Sequence, residues 1–394
     1  MSMRILVVNS GSSSIKFSIF DSGAASEDAG LRCVFEGELT GIGGAEAQLE
    51  VEGKRSTVQA GSQVEAIRLV FDTVAEPVDA VGYRVVHPGP HLEDHQRVTP
   101  EVLEALEAAT AFAPLHDPEA VKVIREGLAR FPQVGHYACF DTVFHRTMPE
   151  EATTYALPES VRAEGVHRYG FHGLSCESIV RQMQVAGPLP RRMAIAHLGS
   201  GCSVTAVVDG RSVDTTMGLT PTGGVVMGTR PGDLDPGLML YLLRRQQGDK
   251  DAAIAAVEAM VNHNSGMVAL SGMANDMRAV RKAAAAGDVR AQLAVKVFTR
   301  SVTKAIAGFC WTLGGLDAIV FAGGIGEHDA LTRTEVLAGL ESQGVAINSS
   351  LNDSKSDGAH SISASDSHTL VLVVPAQEDR MIAMHVSRMD AIQR

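Results

Sequence analysis

Long hydrophobic runs, aromatic residues and an excess of positive charge are all missing from this 394-residue sequence. No apolar run approaches the roughly 18 residues that a transmembrane helix needs. Residues 1–8 contain one arginine and an apolar segment shorter than that of a signal peptide, so we expect no export. Aromatic residues make up 5% and the net charge is −12, which argues against nucleic acid as the main partner. An anionic substrate remains compatible, because a few arginines inside a cleft can locally outweigh the net charge.

Cysteine is scarce and scattered, and no CxxC spacing occurs among Cys33, Cys139, Cys176, Cys202 and Cys310. An odd number of dispersed cysteines is typical of reduced thiols, so we expect a cytoplasmic protein. A chain of 394 residues is too long for one ordinary core, which makes two domains the expectation.

Neither the P-loop motif GxxxxGK[ST] nor the dinucleotide-binding motif GxGxxG occurs. The sequence NSGSSSIKFSIF at residues 9–20 nevertheless places three consecutive serines and Lys16 around a glycine turn. An apolar run enters this turn and an alternating segment leaves it, so the pattern predicts a strand–turn–strand hairpin. The hydroxyls and the turn N–H groups could form a nest for phosphate oxygens, with Lys16 pointing back over the turn. An ordinary surface turn would have the same composition.

A second segment repeats the first at about half the chain length. ILVVNSGSSSIKFSIFDSG begins at residue 5, and MAIAHLGSGCSVTAVVDGR begins at residue 193. Aligning Gly11 with Gly199 also aligns Asp21 with Asp209, a gap-free offset of 188 residues. Both copies contain an apolar strand, a Gly/Ser turn, a second strand and a further turn. The similarity predicts a duplicated domain core, although Gly-rich hairpins also resemble one another by chance.

Helical and strand patterns alternate between and after the hairpins. The segment at 100–113 predicts a helix with Thr99 as its N-cap and Pro100 at its first position. A buried strand should end at Asp141. Further helices are predicted at residues 118–131, 236–247, 252–263, 273–286 and 289–313.

The C-terminal third continues the alternation. The strand in LDAIVFAGGIGEH should break into a glycine turn, with a helix from about Ala330. Residues 349–368 are low in complexity and should form an exposed hairpin or loop. The strand TLVLVVPAQED and a last helix close the chain. The whole pattern is typical of an α/β fold with mixed sheets.

Charged residues stand at the ends of several apolar segments. Arg84 lies in a predicted strand and Arg230 in a glycine-bounded loop, so both could reach the oxygens of a transferring phosphoryl group. The alternative is a solvated surface arginine, as for Arg244. Asp141 and Glu378 each follow an apolar strand, where a carboxylate can hold Mg²⁺ through water or simply cap the next turn.

Histidines and glycines give weaker signals. His87, His91 and His95 lie at intervals of four, but the intervening prolines make a helix improbable, so we reject a shared metal site. His116 and His172 lie beside aromatic or apolar residues, where either could be an ordinary structural histidine. The glycines of AGGIGEH permit close backbone approach, either to a nucleotide or to a neighbouring strand.

Taken together, these segments resemble the acetate kinase family over essentially the whole chain. The resemblance rests on eleven collinear motifs: NSGSSSIKF, YRVVH, APLHDP, FDTVFHRTMP, RYGFHG, HLGSGCSV, DTTMGLTPTGG, MGTRPGDLDP, SGMANDMR, FAGGIGEH and VPAQED. It implies the duplicated actin-like (ribonuclease H-like) α/β fold, with two domains of mixed sheets flanked by helices. The implied N-terminal domain comprises residues 1–145 and 380–394, and the implied nucleotide-binding domain comprises residues 146–379. The active site would be the cleft between them.

The implied activity is reversible, direct in-line phosphoryl transfer from ATP to acetate, giving acetyl phosphate and ADP, with Mg²⁺ or Mn²⁺. The resemblance also implies a homodimer whose domains close on the nucleotide. A carboxylate is already a nucleophile at neutral pH, so cations, N–H groups and a metal would carry the catalysis. Two alternatives remain: a kinase for propionate or another short-chain carboxylate, and a non-catalytic nucleotide-binding protein of the same fold. A mere binder would not need the cations Arg84 and Arg230.

The resemblance implies roles for individual residues. The catalytic set consists of Arg84, His116, Asp141, His172 and Arg230. The acyl-substrate pocket contains Arg84 with Val86, Leu115, Phe171 and Pro221. Nucleotide contacts are implied for Ser12, Ser14, Lys16, His197, Gly199, Ser200, Gly201, Asp276, Arg278, Gly324 and Ile325. Mg²⁺ would be held by Asn9, Asp141 and Glu378, partly through water.

Several positions depart from the family pattern. Ser200 stands where the family has the asparagine of HLGNG, on the side of the β- and γ-phosphates. Leu174 and Cys176 change the HGTSH motif and should alter the loop after His172. Asp117 adds a negative charge near an anion site. These changes bear on rate, nucleotide choice and acyl specificity.

Overall fold

The computed structural model describes residues 3–11, 13–23, 30–44, 46–109, 117–356 and 358–393. Within these ranges two mixed sheets are flanked by helices, which confirms the α/β class expected from the sequence. No helix in the described ranges combines the length and the hydropathy needed to cross a bilayer. The predicted site residues Ser12, Leu115 and His116 lie outside the described residues.

The first sheet is built from the N-terminal part of the chain. Its strands among the described residues are β1 (Met3–Ser10), β2 (Ser14–Ser22), β3 (Leu31–Thr40), β4 (Ala47–Val51), β5 (Lys54–Val58), β6 (Ala80–Val85), β7 (Gln96–Arg97) and β8 (Gly135–Phe140). Their order across the sheet is β5-β4-β3-β2-β1-β6-β8-β7. β1, β2 and β3 pair antiparallel, whereas β1, β6 and β8 pair parallel.

The second sheet repeats this arrangement. Its described strands are β9 (Arg192–Leu198), β10 (Cys202–Val208), β11 (Arg211–Thr215), β12 (Ala318–Ala322), β13 (His360–Ser361) and β14 (Leu370–Val373), in the order β11-β10-β9-β12-β14-β13. The strands β9 to β11 pair antiparallel, and β9, β12 and β14 pair parallel. Six strands of each sheet therefore correspond in order and direction, which confirms the duplicated core.

The two hairpins differ by one residue in their turns. In the first hairpin Ser10 pairs with Ile15, which encloses residues 11–14, whereas in the second Leu198 pairs with Cys202, which encloses residues 199–201. The gap-free alignment predicted from the sequence is therefore wrong after the turn. Because a one-residue shift moves every side chain of a strand to the other face, Lys16 corresponds in space to position 203 and not to position 204.

The described helices are α1 (Gln63–Thr73), α2 (Pro100–Ala108), α3 (Asp117–Arg130), α4 (Glu150–Thr153), α5 (Glu159–Arg162), α6 (Gly173–Ala186), α7 (Pro236–Arg245), α8 (Lys250–His263), α9 (Gly266–Ser271), α10 (Met277–Ala285), α11 (Val289–Thr312), α12 (Gly323–His328), α13 (Ala330–Leu337), α14 (Ser349–Asn352) and α15 (Glu378–Gln393). Their starts follow local chemistry. Thr99 Oγ1 accepts the Val102 N–H at 3.3 Å with proline at the first helical position, as predicted for α2.

The last helix returns to the first sheet. Ile382 and Val386 of α15 lie in a core cluster with Ile5 and Val7 of β1. A Cβ on Gly82 of β6 would lie 2.7 Å from a methyl carbon of both Ile382 and Val386, so the absent side chain allows the helix to pack closely. This packing carries the start of α15 to the edge of the sheet where β1 and β6 end. The domain boundaries at residues 145 and 380 stay a prediction.

Four local predictions were wrong. Residues 323–328 form α12 and not a glycine turn, because Gly323 takes a φ of 73° and the chain turns directly into a helix against Leu198. The predicted helix at 273–286 is shorter, since α10 begins at Met277. Glu378 does not end a strand: residues 374–377 separate it from β14, and it begins α15. Residues 349–368 are only partly exposed, because they include α14, β13 and the fully buried Ile362.

Candidate active site

One cleft lies where both hairpin turns, the ends of β6 and β8 and the starts of α6 and α15 meet. Its volume is about 890 Å³. The cleft brings together most of the residues that the sequence predicted for the site: Asn9, Ser14, Lys16, Arg84, Val86, Asp141, Phe171, His172, His197, Ser200, Gly201, Pro221, Arg230, Gly324 and Glu378. Of the predicted residues that the structure describes, four do not line it: Gly199, Asp276, Arg278 and Ile325.

Arg84 is held in place by acidic and amide oxygens. Its Nε lies 3.1 Å from each carboxylate oxygen of Asp141, and its Nη1 donates to Asn9 Oδ1 at 3.2 Å. Oε2 of Glu378 lies 3.9 Å from the same Nε. The parallel pairing of β6 with β8 places Arg84 beside the end of β8, immediately before Asp141. Because carboxyl ends of parallel strands share one edge, the two side chains meet there.

Burial and charge act against each other in this group. Burial raises the pKa of the Asp141 carboxyl above its ordinary value, and the Arg84 guanidinium opposes that rise. Burial also acts to raise the pKa of Glu378, but Arg84, His197 and Asn9 together hold it below its ordinary value. The carboxylates raise the pKa of Arg84 despite its burial. The guanidinium therefore remains a fixed positive charge at every physiological pH.

Asp379 is a site residue that sequence reasoning missed. Asn9 Nδ2 donates to Glu378 Oε2 at 3.1 Å and to Asp379 Oδ1 at 3.0 Å. Ser18 Oγ donates to Asp379 Oδ2 at 3.2 Å. Burial raises the pKa of Asp379, and the hydrogen bond from Asn9 counteracts it. Strand alternation could have identified its partner Ser18, because Ser18 lies two residues after Lys16 on the same face of β2.

His172 has a backbone conformation that few residues other than glycine adopt, with φ 59° and ψ 26°. The next residue, Gly173, donates its N–H to the main-chain oxygen of Asp141 at 2.8 Å. A Cβ on Gly173 would lie 2.2 Å from that oxygen, so only glycine fits. The backbone contact therefore fixes His172 relative to Asp141, and strain of this kind is concentrated at functional sites.

The His172 ring packs against the second hairpin. It stacks on His197 with ring centroids 4.3 Å apart, and its Nδ1 lies 2.9 Å from Ser203 Oγ. The His197 ring is itself held by Ser175, whose Oγ lies 2.7 Å from His197 Nδ1. Burial, reinforced by His197, lowers the pKa of His172 well below its ordinary value. The ring is therefore neutral at neutral pH and can act as a hydrogen-bond donor. Ser203 and Ser175 were not predicted.

Arg230 brings a second cation beside an apolar wall. It lies in the loop between β11 and α7, and its Nη1 donates to the Pro221 carbonyl at 2.9 Å. Burial lowers the pKa of Arg230 from its ordinary value. Pro221 lines the cleft together with Val86 and Phe171, and Phe171 is 1% exposed. A cation next to a small apolar surface suits a carboxylate with a short hydrocarbon tail.

The start of α12 forms another side of the cleft. Glu327 Oε1 accepts the N–H groups of Gly323 at 2.8 Å and of Ala376 at 3.3 Å, which ties α12 to the segment before Glu378. At Gly324 no heavy atom lies within 4 Å of the place a Cβ would take, so the backbone faces open space. Glu327 lies within the FAGGIGEH motif but was not predicted as a site residue.

Asp276 and Arg278 lie outside the lining of the cleft. Asp276 caps α10 by accepting the Arg278 N–H at 2.9 Å, and its carboxylate also lies 3.2 Å from Arg278 Nε. The Arg278 side chain is 93% exposed. This geometry keeps both residues on the surface at the start of α10, so a role for them in holding a nucleotide stays a prediction.

The oxygen donors around Arg84 fit Mg²⁺. Asn9, Asp141, Glu378 and Asp379 offer carboxylate and amide oxygens, the ligand type that Mg²⁺ prefers. Among the described residues, no three acids of the cleft bring their ligand atoms within 4.8 Å of one another. The set therefore suits an ion that keeps several waters and takes phosphate oxygens, as Mg²⁺ does, and not a closed protein cage.

A cluster that does meet that distance lies away from the cleft: His95, Glu177 and His385. His385 Nε2 lies 2.8 Å from Glu177 Oε2, and the His95 and His385 rings are 4.1 Å apart. His95 Nδ1 accepts the Phe140 N–H at 3.0 Å, so the neutral ring carries its proton on Nε2 and keeps no lone pair there for a metal. Burial lowers the pKa of His95 to about 2, which keeps the ring neutral. The cluster instead joins α6 and α15 behind β8.

The sequence suggested that the departures at Leu174 and Cys176 alter the loop after His172. This prediction was wrong. Both lie in the first turn of α6, with exposures of 1% and 0%. Leu174 packs in the core cluster beneath α15, and Cys176 packs in the cluster behind the second sheet. Their side chains therefore point into cores and not into the cleft.

Known proteins resemble this chain over nearly its full length. A family model described as the Acetokinase family matches residues 4–384. The acetate kinase of Arthrobacter sp. (strain FB24) is 41% identical over 389 residues, which cover 97% of each chain. The crystal structure of a propionate kinase from Francisella tularensis subsp. tularensis SCHU S4 has a TM-score of 0.86 and 33% identity, covering 97% of this chain and 98% of that one. Porphyromonas gingivalis acetate kinase has a TM-score of 0.83 and 30% identity, covering 98% and 99%.

Proposed function

This chain belongs to the acetokinase family, and we propose that it transfers the terminal phosphoryl group of ATP reversibly to acetate, giving acetyl phosphate and ADP. Its fold is the duplicated actin-like α/β fold. The observation that carries the proposal is the meeting of two arginines from the two halves of the chain. Arg84 and Arg230 line one cleft, beside His172 and the apolar wall of Val86 and Phe171.

The reaction does not need a general base. Acetate at neutral pH is already ionised and nucleophilic, so the enzyme must align two anions and neutralise the charge on the transferring phosphoryl oxygens. Arg84 and Arg230 would hold the acetate carboxylate and the phosphoryl group. The methyl group of acetate would lie against Val86, Phe171 and Pro221. Direct in-line transfer would follow from this alignment.

His172 would donate a hydrogen bond to the phosphoryl group in transit. In this assignment Ser203 donates its hydroxyl proton to His172 Nδ1, and the ring proton lies on Nε2. Nε2 faces the second hairpin turn, because a Cβ on Gly201 would lie 3.2 Å from it. The lowered pKa keeps the ring neutral, so it adds a donor without a further charge to compensate.

The nucleotide and its metal would span the two hairpins. Mg²⁺ would be held by Asn9, Asp141 and Glu378 through water, and it would neutralise phosphate charge. Phosphate contacts would come from Ser14 and Lys16 on one hairpin and from His197, Gly199, Ser200 and Gly201 on the other. The adenosine would lie towards Asp276, Arg278, Gly324 and Ile325.

A trapping assay tests the activity. Hydroxylamine converts acetyl phosphate to acetyl hydroxamate, which should accumulate from acetate, ATP and Mg²⁺ with the wild-type protein. Arg230→Ala should lose about 10³-fold or more in kcat, since an arginine on the transferring charge can contribute that much. Arg211→Ala, which removes an exposed arginine of β11, is the matched control and should retain wild-type activity. Absence of hydroxamate from any short-chain acid would contradict the proposal.

Propionate is the second candidate acceptor, because a solved propionate kinase is among the similar structures. Three apolar side chains can discriminate a methylene only weakly, by roughly 1–3 kcal/mol. Propionate should therefore be a slower but real substrate. Comparing kcat/KM across acids of increasing length identifies the preferred one.

We further propose a homodimer and a cytoplasmic location. Helices α7 and α8 expose an unusual number of apolar side chains, including Leu238, Leu240, Tyr241 and Ile254, each at least 38% exposed. A second copy covering this surface would remove it from water. Sedimentation of the wild type and of Tyr241→Asp would report the dimer and its loss. Five free cysteines suit a reducing compartment.

A further inference from the structure

The turn of the second hairpin, residues 199–201, is anchored by a loop and by a side chain from elsewhere in the chain. Gly228 donates its N–H to the Ser200 carbonyl at 3.0 Å. Asn275, just before α10, donates from Nδ2 to Ser200 Oγ at 2.8 Å. Ser200 and Gly201 line the cleft, whereas Asn275 does not. The side chain of Asn275 therefore reaches the cleft only through Ser200.

Asn275 and Gly228 are closely fitted to each other. A Cβ on Gly228 would lie 2.2 Å from Asn275 Oδ1 and 2.8 Å from its Nδ2. Only the absence of a side chain at Gly228 admits the amide at this position. The same loop continues to Arg230, and Met227 N–H donates to the Arg230 carbonyl at 3.0 Å. Ser200, Asn275 and the loop that carries Arg230 thus form one packed unit.

The direction of the hydrogen bond from Asn275 determines which further hydrogen bond the Ser200 hydroxyl can make. An amide NH₂ group only donates, so Ser200 Oγ uses a lone pair as acceptor in this contact. Its own hydroxyl proton must then point to another partner. Ser200 lines the cleft, so an anion there is a suitable acceptor for that proton.

We propose that Asn275 is a positioning residue that orients the Ser200 hydroxyl as a donor to a phosphate oxygen of the bound nucleotide. The proposal rests on the proposed nucleotide-dependent function. It also gives a physical account of the departure at position 200, where the family resemblance places an asparagine. In this chain position 200 carries a hydroxyl in place of that amide, and the Asn275 amide fixes the direction in which the hydroxyl donates.

Isosteric and truncating substitutions separate this role from a merely structural one. Asn275→Asp keeps the shape but offers only acceptor oxygens, so the Ser200 proton should turn towards the carboxylate and away from the nucleotide. Asn275→Ala removes the donor without adding charge. Binding of Mg²⁺–ADP, measured by calorimetry without any acid present, should weaken about tenfold in Asn275→Ala and further in Asn275→Asp. The KM for ATP should rise in parallel, while the KM for acetate should stay at its wild-type value.

A double-mutant cycle gives the decisive measurement. If Asn275 acts through Ser200, Ser200→Ala/Asn275→Ala should bind ADP no more weakly than Ser200→Ala alone. Asn264→Ala removes an exposed asparagine near the end of α8 and should bind ADP like the wild type. Additive losses in the double variant, or wild-type ADP binding by Asn275→Asp, would overturn the proposal. If the wild-type protein phosphorylates no acid and these variants still lose ADP binding, the proposed function is overturned. The role of Asn275 is then retained.

Discussion

The guanidinium of Arg84 faces the carboxylate of Asp141 edge-on, with Nε 3.1 Å from both oxygens, while Nη1 donates to Asn9. Three oxygens on two side chains thus define the plane of one cation. The Asp141 side chain is 1% exposed, so this geometry is shielded from water. A planar fork can satisfy such a set, whereas a point charge cannot.

Replacing Arg84 with lysine should therefore fail to preserve activity although it preserves charge. We expect Arg84→Lys to lower kcat by about 10²-fold or more, because a single ammonium cannot hold both Asp141 and Asn9 and still face the substrate. The hydroxamate assay at saturating ATP and acetate measures the change, and thermal unfolding checks that the variant is folded. A kcat within about threefold of wild type would show that charge alone is sufficient.

Glu378 should control the metal requirement more than the chemistry. Removing its charge would weaken the proposed water-mediated contact to Mg²⁺, and losses of this kind typically raise the metal requirement by about tenfold or more. We expect Glu378→Gln to need correspondingly more Mg²⁺ for half-maximal activity, with much of the rate recovered at saturation. Glu177→Gln is the matched control, since Glu177 contacts His385 outside the cleft. An unchanged Mg²⁺ titration in Glu378→Gln would remove Glu378 from the metal site.

The apolar wall should set the choice between acetate and propionate. Val86 lines the cleft beside Phe171, and shortening it to alanine would leave room for about one more methylene. We expect Val86→Ala to raise the ratio of kcat/KM for propionate to that for acetate by about tenfold, in line with roughly 1–3 kcal/mol per methylene. Val185→Ala, at a position 73% exposed, should leave the ratio unchanged. A constant ratio in Val86→Ala would show that the acyl group binds elsewhere.

The sequence predicted the residues of the cleft better than their connections. Arg84 and Asp141 were identifiable because a charged residue at the end of a buried strand is unusual, and strand order then brings them together. The hydrogen bonds of Ser203 and Asn275 were not identifiable, because single polar residues in strands and loops look alike whether or not they meet a partner. Those contacts depend on how distant segments pack, which no local pattern encodes.

Two details of the backbone could not be predicted from the sequence for a related reason. The glycines at 323–326 indicate a turn by propensity, but packing of Gly323 against Leu198 allows the chain to start a helix there. The extra residue in the first hairpin turn was also hidden, since matching glycines and aspartates align without a gap at the level of letters. Register is set by which face of each strand is buried, so it becomes visible only once both cores are formed.

Acid should destabilise the site through its buried histidines, and His145 offers the clearest test. Its Nε2 lies 2.9 Å from the Phe171 carbonyl and its Nδ1 lies 2.9 Å from Ser212 Oγ, so the neutral ring satisfies both contacts beside the apolar wall. Burial lowers the pKa of His145 from 6.5 to about 4. Between these values the unfolded chain binds the proton and the folded protein does not. The free energy of unfolding should therefore fall as the pH drops below about 6.5 and stay constant with respect to this group above it.

The expected loss is about 1.4 kcal/mol per pH unit within that window. His145→Gln removes the titration, so it should lower the free energy of unfolding at pH 7.5 but make it less dependent on pH down to pH 5. Urea unfolding of the wild type and the variant at pH 7.5, 6.5 and 5.5 measures both quantities. Because other buried histidines titrate in the same range, the difference between the two slopes is the diagnostic quantity. Equal slopes would mean that His145 accepts its proton equally well in the folded and unfolded states.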